Sequence, residues 1–222
     1  VESFTHPLVQ PAVDRPRFRP VVGSPIINGV FVAADAASLD SIDSGGHRPD
    51  FLPATDQRYL GPIWAMPMSE VGGGNEYTQW AGAIERPALF SPRGHGMLIM
   101  HSNAGITFDL QAAAADRSLV ATRFSATAAN AETHDGENPG VPVGEPRHHI
   151  ACSLYVVVDG EVRFQREHFN STDGVFEVDV PLREGDRYLT VIVADGDGYY
   201  DYDWAVLGDP VIELSPAAFA GE

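Results

Sequence analysis

Lysine is absent from this chain, whose 14 basic residues are all arginine and stand against 31 acidic residues. The formal net charge is −17. A field of that sign repels phosphate groups, which disfavours nucleic acids and anionic membranes as partners but leaves neutral ligands and cations open. The same charge keeps many extracellular proteins soluble, so the acidity by itself does not identify a partner.

Cysteine is scarce as well. Cys152 is the single cysteine, so the chain can form neither an internal disulfide nor a paired-cysteine zinc or haem motif. It opens an apolar run in an acidic chain, which predicts a packed and inert side chain. Long hydrophobic runs are also missing, because none reaches the roughly 18 apolar residues of a membrane-spanning helix. No signal-peptide pattern follows Val1.

The short motifs of common enzyme classes are absent too. There is no G-x-S-x-G nucleophile elbow, no H-E-x-x-H zinc motif, no P-loop and no dinucleotide-binding fingerprint. Glycoside hydrolysis needs two carboxylates about 5 to 10 Å apart, and a chain with 31 acidic residues offers such pairs by chance. We therefore predict no catalytic residue, and a glycan-active enzyme is the least favoured alternative.

Proline and glycine leave little room for helices in the N-terminal half. Residues 1–25 predict a proline-rich extended arm, because proline fixes φ and lacks an amide donor. Residues 26–93 predict a loop-rich region with short strands, one of them over 26–34, where Asn28-Gly29 marks either a hairpin turn or a bulge. We expect this region to pack on the sandwich formed by the rest of the chain, although the spacing alone does not decide it.

The C-terminal half is typical of an antiparallel β-sandwich over residues 94–215, followed by a tail over 216–222. Asp159-Gly160 predicts a two-residue hairpin turn in which both residues have positive φ. Residues 110–116 predict a short helical connector. The predicted fold class is all-β with an irregular N-terminal extension, and its strands are expected at 97–100, 105–110, 122–126, 153–158, 162–166, 175–180, 188–194 and 211–214.

Several separated motifs in the C-terminal half follow one another in a recognisable order. They are HSNAGITFDL at 101–110, RFSAT at 123–127, LYVVVDG at 154–160, FEVDV at 176–180, LTVIVADGDG at 189–198 and DWA at 203–205. This order resembles the NPCBM family, the "novel putative carbohydrate-binding module", over about residues 94–215. The resemblance implies a galactose-binding-like jelly-roll sandwich that binds sugar through its loops. It also implies an extracellular or periplasmic module appended to other domains.

The resemblance suggests two groups of ligand-binding residues. His101 and Asn103 match one family segment, and Asp203 and Trp204 match another near the last strand. Members often carry an Asp-His pair just before the Asp-Trp, whereas this chain has Tyr-Tyr-Asp-Tyr at 199–202. The galactose- or fucose-type preference of the family is therefore only an expectation here.

The segment before the last strand combines the two kinds of group that a sugar requires. Sugar hydroxyls need paired donors and acceptors, and an apolar ring face packs on an aromatic side chain. We therefore predict a carbohydrate or polysaccharide partner, with Trp204 either stacking on the sugar or packing as a core residue. The candidate ligand-binding residues are His101, Asn103, Tyr199, Asp201, Asp203 and Trp204.

The same segment also suggests a cation. Asp195 and Asp197 alternate with glycines, and carboxylate oxygens are what calcium prefers. The spacing is not that of an EF-hand, because Tyr199 replaces a third ligand and the closing glutamate is missing. We predict one structural calcium ion at Asp195 and Asp197, and a solvated acidic turn is the alternative. The adjacent His148 and His149 would point to opposite faces of a strand, which disfavours zinc.

These observations lead to one principal hypothesis, a non-catalytic carbohydrate-binding module of a secreted multidomain protein. It requires that the acidic, tyrosine-rich turn before the last strand lie open to solvent beside His101. The alternative is a structural or protein-interaction sandwich that uses residues 26–93 as its working surface.

Overall fold

The computed structural model describes residues 17–33, 39–52, 63–66, 87–115, 118–130, 151–198 and 203–217. Two short α-helices, α1 (Pro87–Phe90) and α2 (Leu110–Ala113), occur in these ranges, with a 3-10 turn at Ser171–Asp173. The strands are β1 (Arg19–Pro20), β2 (Ile27–Val32), β3 (Ile63–Met66), β4 (Met97–His101), β5 (Ala104–Asp109), β6 (Leu119–Asn130), β7 (Cys152–Val158), β8 (Glu161–Phe169), β9 (Phe176–Pro181), β10 (Tyr188–Asp195) and β11 (Trp204–Pro216).

The strands form two antiparallel sheets. The first sheet has the order β1-β2-β5-β10-β7-β8, and the second has the order β3-β4-β11-β6-β9. The predicted all-β antiparallel sandwich is therefore confirmed. Strands β2 and β3, from the loop-rich N-terminal region, belong to these same two sheets. Within the described ranges, no helix has the length and apolarity needed to cross a membrane.

One apolar cluster fills the space between the sheets. Side chains alternate across a strand, so Leu189, Val191 and Val193 of β10 all face this space and are fully buried. The second sheet contributes Leu98, Met100, Phe124, Ala126, Val178, Val180, Ala205 and Leu207 to the same cluster. Removing this apolar surface from water provides most of the driving force for folding.

The outer face of the first sheet is buried over strands β7 and β10, whereas the edge strand β8 is largely exposed. Residues 39–52 run across it and cover the alternate side chains of β7 and β10. The turn in this cover is closed by Asp43, which accepts hydrogen bonds from the backbone N–H of His47 at 3.2 Å and contacts its ring Nδ1 at 2.7 Å. The cluster beneath the cover contains Phe31, Ala33, Leu39, Ile42, Leu52, Tyr155, Val157, Ile192 and Ala194.

The outer face of the second sheet has a smaller cover. Phe90 of α1 packs there on a third apolar cluster, with Met97, Ile99, Ala129 and Val206. The end of α1 lies so close to β11 that a Cβ added to Gly208 would be 1.4 Å from the carbonyl oxygen of Phe90. Glycine at position 208 is therefore a requirement of this close approach.

A buried carboxylate holds the segment that follows α1. Asp209 is 2% exposed, and its two oxygens accept hydrogen bonds from Ser91 Oγ at 2.6 Å, His95 N at 2.7 Å and Arg93 N at 2.5 Å. Burial alone would raise the pKa of Asp209, but these hydrogen bonds stabilise the anion and the net pKa is lowered. The carboxylate thus fastens residues 91–95 to β11.

Three local predictions can be compared with the fold. Asp159 and Gly160 both have positive φ, at 47° and 83°, so the predicted hairpin turn between β7 and β8 is confirmed. Asn28-Gly29 lies within β2 at a register irregularity, which makes it a bulge instead of a hairpin turn. Strand β11 begins at Trp204, earlier than the predicted residue 211, because its Gly-Asp-Pro segment is a register shift inside a strand and not its end.

Candidate functional site

The antiparallel register brings two distant parts of the sequence to one end of the sandwich. His101, the last residue of β4, pairs with Trp204, the first residue of β11. Just beyond this pair, the backbone N–H of Ser102 donates to the carbonyl of Asp203 at 3.0 Å. The connections β4–β5 and β10–β11 are therefore neighbours, and they carry both groups of predicted ligand-binding residues.

Asn103 joins three chain segments at this end. Its backbone is left-handed, with φ of 63°, a conformation that asparagine tolerates better than most residues. Its carbonyl accepts a hydrogen bond from Ala33 N at 2.9 Å, and its side-chain Oδ1 accepts one from Asp195 N at 3.2 Å. The side chain is 1% exposed, so Asn103 lies beneath the turn and faces the protein.

Asp195 closes the first part of the β10–β11 connection. Its Oδ1 accepts hydrogen bonds from the backbone N–H groups of Asp197 at 2.9 Å and Gly198 at 2.7 Å. Asp197 Oδ2 accepts one from Ala151 N at 3.1 Å. Both carboxylates predicted to hold calcium therefore bind backbone amides of the turn and its neighbour.

Two further contacts fasten the same turn. Gly196 N donates to the carbonyl of Ala151 at 2.8 Å, and the carbonyl of Gly196 accepts a hydrogen bond from His168 Nδ1. His168 has a left-handed backbone with φ of 54°, and its N–H donates to Ser153 Oγ at 3.2 Å. Sequence reasoning missed His168 and Ala151, since only the β7–β8 and β10–β7 pairings bring them to the turn.

His101 and Trp204 form an aromatic pair. Their ring centroids are 4.6 Å apart and their planes meet at 86°, which is an edge-to-face contact. His101 is 4% exposed, and burial lowers its pKa to about 4, although a backbone hydrogen bond with Ser102 acts in the opposite direction. The imidazole is therefore neutral at neutral pH. Trp204 packs against the third apolar cluster but keeps part of its surface exposed.

The floor of this end is polar and buried. Asp203 is 0% exposed and Asn130 is 4% exposed. The side-chain Nδ2 of Asn130 donates a hydrogen bond to Cys152 Sγ at 3.7 Å. Burial raises the pKa of the Cys152 thiol well above its usual value, and the negative charge of Asp203 adds to that effect. Cys152 is thus a packed, protonated thiol, as its sequence position predicted.

The described residues test only part of the hypothesis that the turn before β11 lies open beside His101. Asp203 and Trp204 adjoin His101, yet His101, Asn103 and Asp203 are nearly or fully buried, so Trp204 is the member of the described set that reaches the surface. Tyr199 and Asp201 lie outside the described residues. Contact between the predicted residues and a ligand stays a prediction.

The predicted calcium site also stays a prediction. Asp195 and Asp197 are adjacent through the Asp195 Oδ1 to Asp197 N hydrogen bond. In the part of the chain that the structure describes, no group of three or more His, Cys, Asp or Glu side chains is arranged to hold a metal ion.

The opposite end of the sandwich has a concave surface of another kind. A groove of about 450 Å³ lies between α2, the start of β6 and the turn at 183–186. No aromatic side chain occurs in its described lining, so it offers no ring for stacking on a sugar. The lining consists of Leu110, Gln111, Ala114, Ala115, Leu119, Val120, Ala121, Arg183, Glu184, Gly185 and Asp186.

No protein-family model and no curated protein matches this chain. Among solved structures, it is similar to the CBM51 of Clostridium perfringens GH95 in complex with methyl-galactose, with 17% identity, a TM-score of 0.40, and 55% of this chain and 76% of that chain covered. It is also similar to CBM51-2 in complex with GlcNAc and INT domains from C. perfringens ZmpB, with 13% identity, a TM-score of 0.41, and 91% of this chain covered.

That second match takes in 39% of the longer C. perfringens chain. A cyclase from Fischerella is a third similar structure, with 11% identity, a TM-score of 0.37, and 75% of this chain and 81% of that chain covered. All three structures are similar to this chain at low identity and low TM-score. The resemblance to NPCBM over residues 94–215 therefore stays a prediction.

Proposed function

We propose that this chain is a non-catalytic module that binds a glycan at the end of the sandwich where Trp204 lies. Following the NPCBM resemblance, the expected ligands are galactose- or fucose-type sugars. The module would belong to a secreted, extracellular or periplasmic multidomain protein. The predicted calcium ion at Asp195 and Asp197 is a separate prediction, which sugar binding at Trp204 does not require and which Asp195→Asn tests by removing the charge of one ligand.

The observation that carries the proposal is the placement of Trp204. Trp204 is partly exposed at the start of β11, and its ring meets the ring of His101 edge-to-face. A sugar packs an apolar ring face on an accessible aromatic side chain, and among the described candidate residues Trp204 offers one. His101 is neutral above pH of about 4, so it places no positive charge at this end.

Isothermal titration with galactose, fucose and their oligosaccharides tests the proposal. We expect the wild-type protein to bind at least one of these sugars and Trp204→Ala to weaken binding about tenfold, because the stacking surface is lost. Trp204→Phe should retain most of the affinity, since it keeps an aromatic face. Leu214→Ala, an exposed residue far along β11, is the matched control and should bind like the wild type.

Three outcomes would contradict the proposal. Silence across a broad glycan array would argue for the structural or protein-interaction alternative, and release of new reducing ends from a polysaccharide would argue for a glycan-active enzyme. Equal sugar affinity of the wild type and Trp204→Ala would show that any sugar site lies elsewhere on the molecule.

A further inference from the structure

The β10–β11 connection is fastened at its base, defined here as residues 195–198, and this base rests on neighbouring elements. Asp195 Oδ1 accepts the N–H groups of Asp197 and Gly198 at 2.9 and 2.7 Å. Asn103 Oδ1 in turn accepts the N–H of Asp195 at 3.2 Å, from a side chain that is 1% exposed. Each of these contacts uses an oxygen atom as an acceptor of a backbone amide.

The two limbs of the connection rest on the same pair of residues. The limb at Asp195 is held by the Asn103 side chain, and the limb at Asp203 is held by Ser102 N, which donates to its carbonyl at 3.0 Å. Asn103 also accepts the N–H of Ala33 at 2.9 Å, which ties the end of β2 to the same point. Ordering a loop before binding removes part of the entropy cost of binding.

We infer that Asp195 and Asn103 are positioning residues that act as hydrogen-bond acceptors to preorganise residues 195–198 at the start of the β10–β11 connection. The role of these residues in sugar binding rests on the proposed function, whereas their hydrogen bonds to the backbone do not. It assigns the carboxylate of Asp195 a role that depends on an acceptor oxygen and not on negative charge. A calcium ligand would instead depend on the charge.

Two substitutions at one position separate these roles. Asp195→Asn keeps an acceptor oxygen and removes the charge, whereas Asp195→Ala removes both. We expect amide hydrogen exchange at Asp197 and Gly198 to accelerate about tenfold or more in Asp195→Ala, because two amides lose their acceptor. Asp195→Asn should restore exchange to within about twofold of the wild type, since the acceptor returns.

A second substitution tests the other acceptor. Asn103→Gly keeps access to the left-handed backbone and removes Oδ1, so exchange should accelerate about tenfold at the amide of Asp195. The matched control is Asp186→Ala, which removes the carboxylate that accepts Arg183 N at 2.7 Å in a turn at the other end of the sandwich. This control should leave exchange at residues 195–198 unchanged.

Three exchange results would overturn the inference. The first is equally fast exchange in Asp195→Asn and Asp195→Ala, which would make the charge decisive. The second is unchanged exchange in Asp195→Ala. The third is equal acceleration at the core amides of Leu189 and Val191, which would indicate global destabilisation and no local role.

Sugar titration of the same variants keeps this inference separate from the proposed function. If the wild type binds a sugar, Asp195→Ala should weaken binding about tenfold and Asp195→Asn should preserve it. Sugar binding that is equal in the wild type and Asp195→Ala would contradict a positioning role. If no sugar binds the wild type, the proposed function fails, while the exchange data still decide whether Asp195 and Asn103 order residues 195–198.

Discussion

Strands β10 and β9 lie in different sheets and bury their side chains in different ways. Every residue of β10 is buried, on both faces, whereas β9 alternates between buried Val178 and Val180 and exposed Glu177 and Asp179. The difference arises because residues 39–52 cover the outer face of β10, and β9 has an exposed outer face at the edge of its sheet. An antiparallel strand that is apolar on both faces therefore indicates a covering layer.

The same comparison explains the role of the loop-rich N-terminal region. Its described parts provide the apolar residues Leu39, Ile42 and Leu52 on one outer face and Phe90 on the other. A stretch punctuated by proline and glycine can thus bury apolar surface without forming long strands. Substitutions on covered and open faces should therefore differ in their effect on stability.

The largest effect is expected from Ile192→Ala on the covered face of β10. Ile192 is 0% exposed and belongs to the cluster beneath residues 39–52. Truncation leaves a cavity and loses transfer free energy, so the free energy of unfolding should fall by about 4 kcal/mol. Denaturant titration measures it, and a loss below about 1 kcal/mol would mean that the cover does not exclude water from this face.

A second effect concerns the buried His101 on the covered face of the second sheet. Its pKa is about 4 in the folded protein against 6.5 when exposed, so the unfolded chain binds more protons between these values. Stability should therefore decrease as pH falls from about 6.5 to 4, by on the order of 3 kcal/mol. Unfolding titrations at pH 7 and pH 4 measure this loss.

His101→Gln is the matched variant for that experiment. It removes the titrating ring, so its loss of stability between pH 7 and pH 4 should be smaller by the contribution of His101. The same loss in both proteins would place the acid sensitivity in other residues. An NMR titration of the His101 ring should give a midpoint near pH 4.

The smallest effect is expected on the open face of β9. Glu177 is exposed and pairs across the sheet with Thr127, so Glu177→Ala should change the free energy of unfolding by less than about 0.5 kcal/mol. Its neighbour Val178 faces the core, and Val178→Ala should cost about 2 kcal/mol. Similar losses from the two substitutions would show that the outer face of β9 is covered after all.

Much of the fold was predictable because its signals are local. The predicted runs in the C-terminal half fall in strands except for residue 110, which begins α2, and residue 175, which precedes β9. Asp159-Gly160 forms the predicted turn, since side-chain alternation and turn chemistry act over a few residues. The start of β11 was not predictable from Gly208 and Pro210. Both usually end strands, but here a close contact with Phe90 and a register shift accommodate them.

The sequence predicted which residues belong to the candidate site, but not how exposed they are. The motifs singled out His101, Asn103, Asp203 and Trp204, and the fold does bring them to one end. The burial of His101, Asn103 and Asp203 was not predictable, since it depends on which elements pack over each face. The hydrogen bond from His168 to the carbonyl of Gly196 was not predictable either, because no sequence pattern indicates a histidine with positive φ at this position.

The sequence by itself determined the all-β class, the alternation of the strands and the acidic character of the chain, because each depends on composition or on neighbours along the chain. Only the tertiary structure decided which polar groups meet. Asn103 binds Asp195 across 92 residues, and such a contact exists only once the register of several strands is set. Strand register is a long-range property, since it depends on the pairing of all strands in a sheet together.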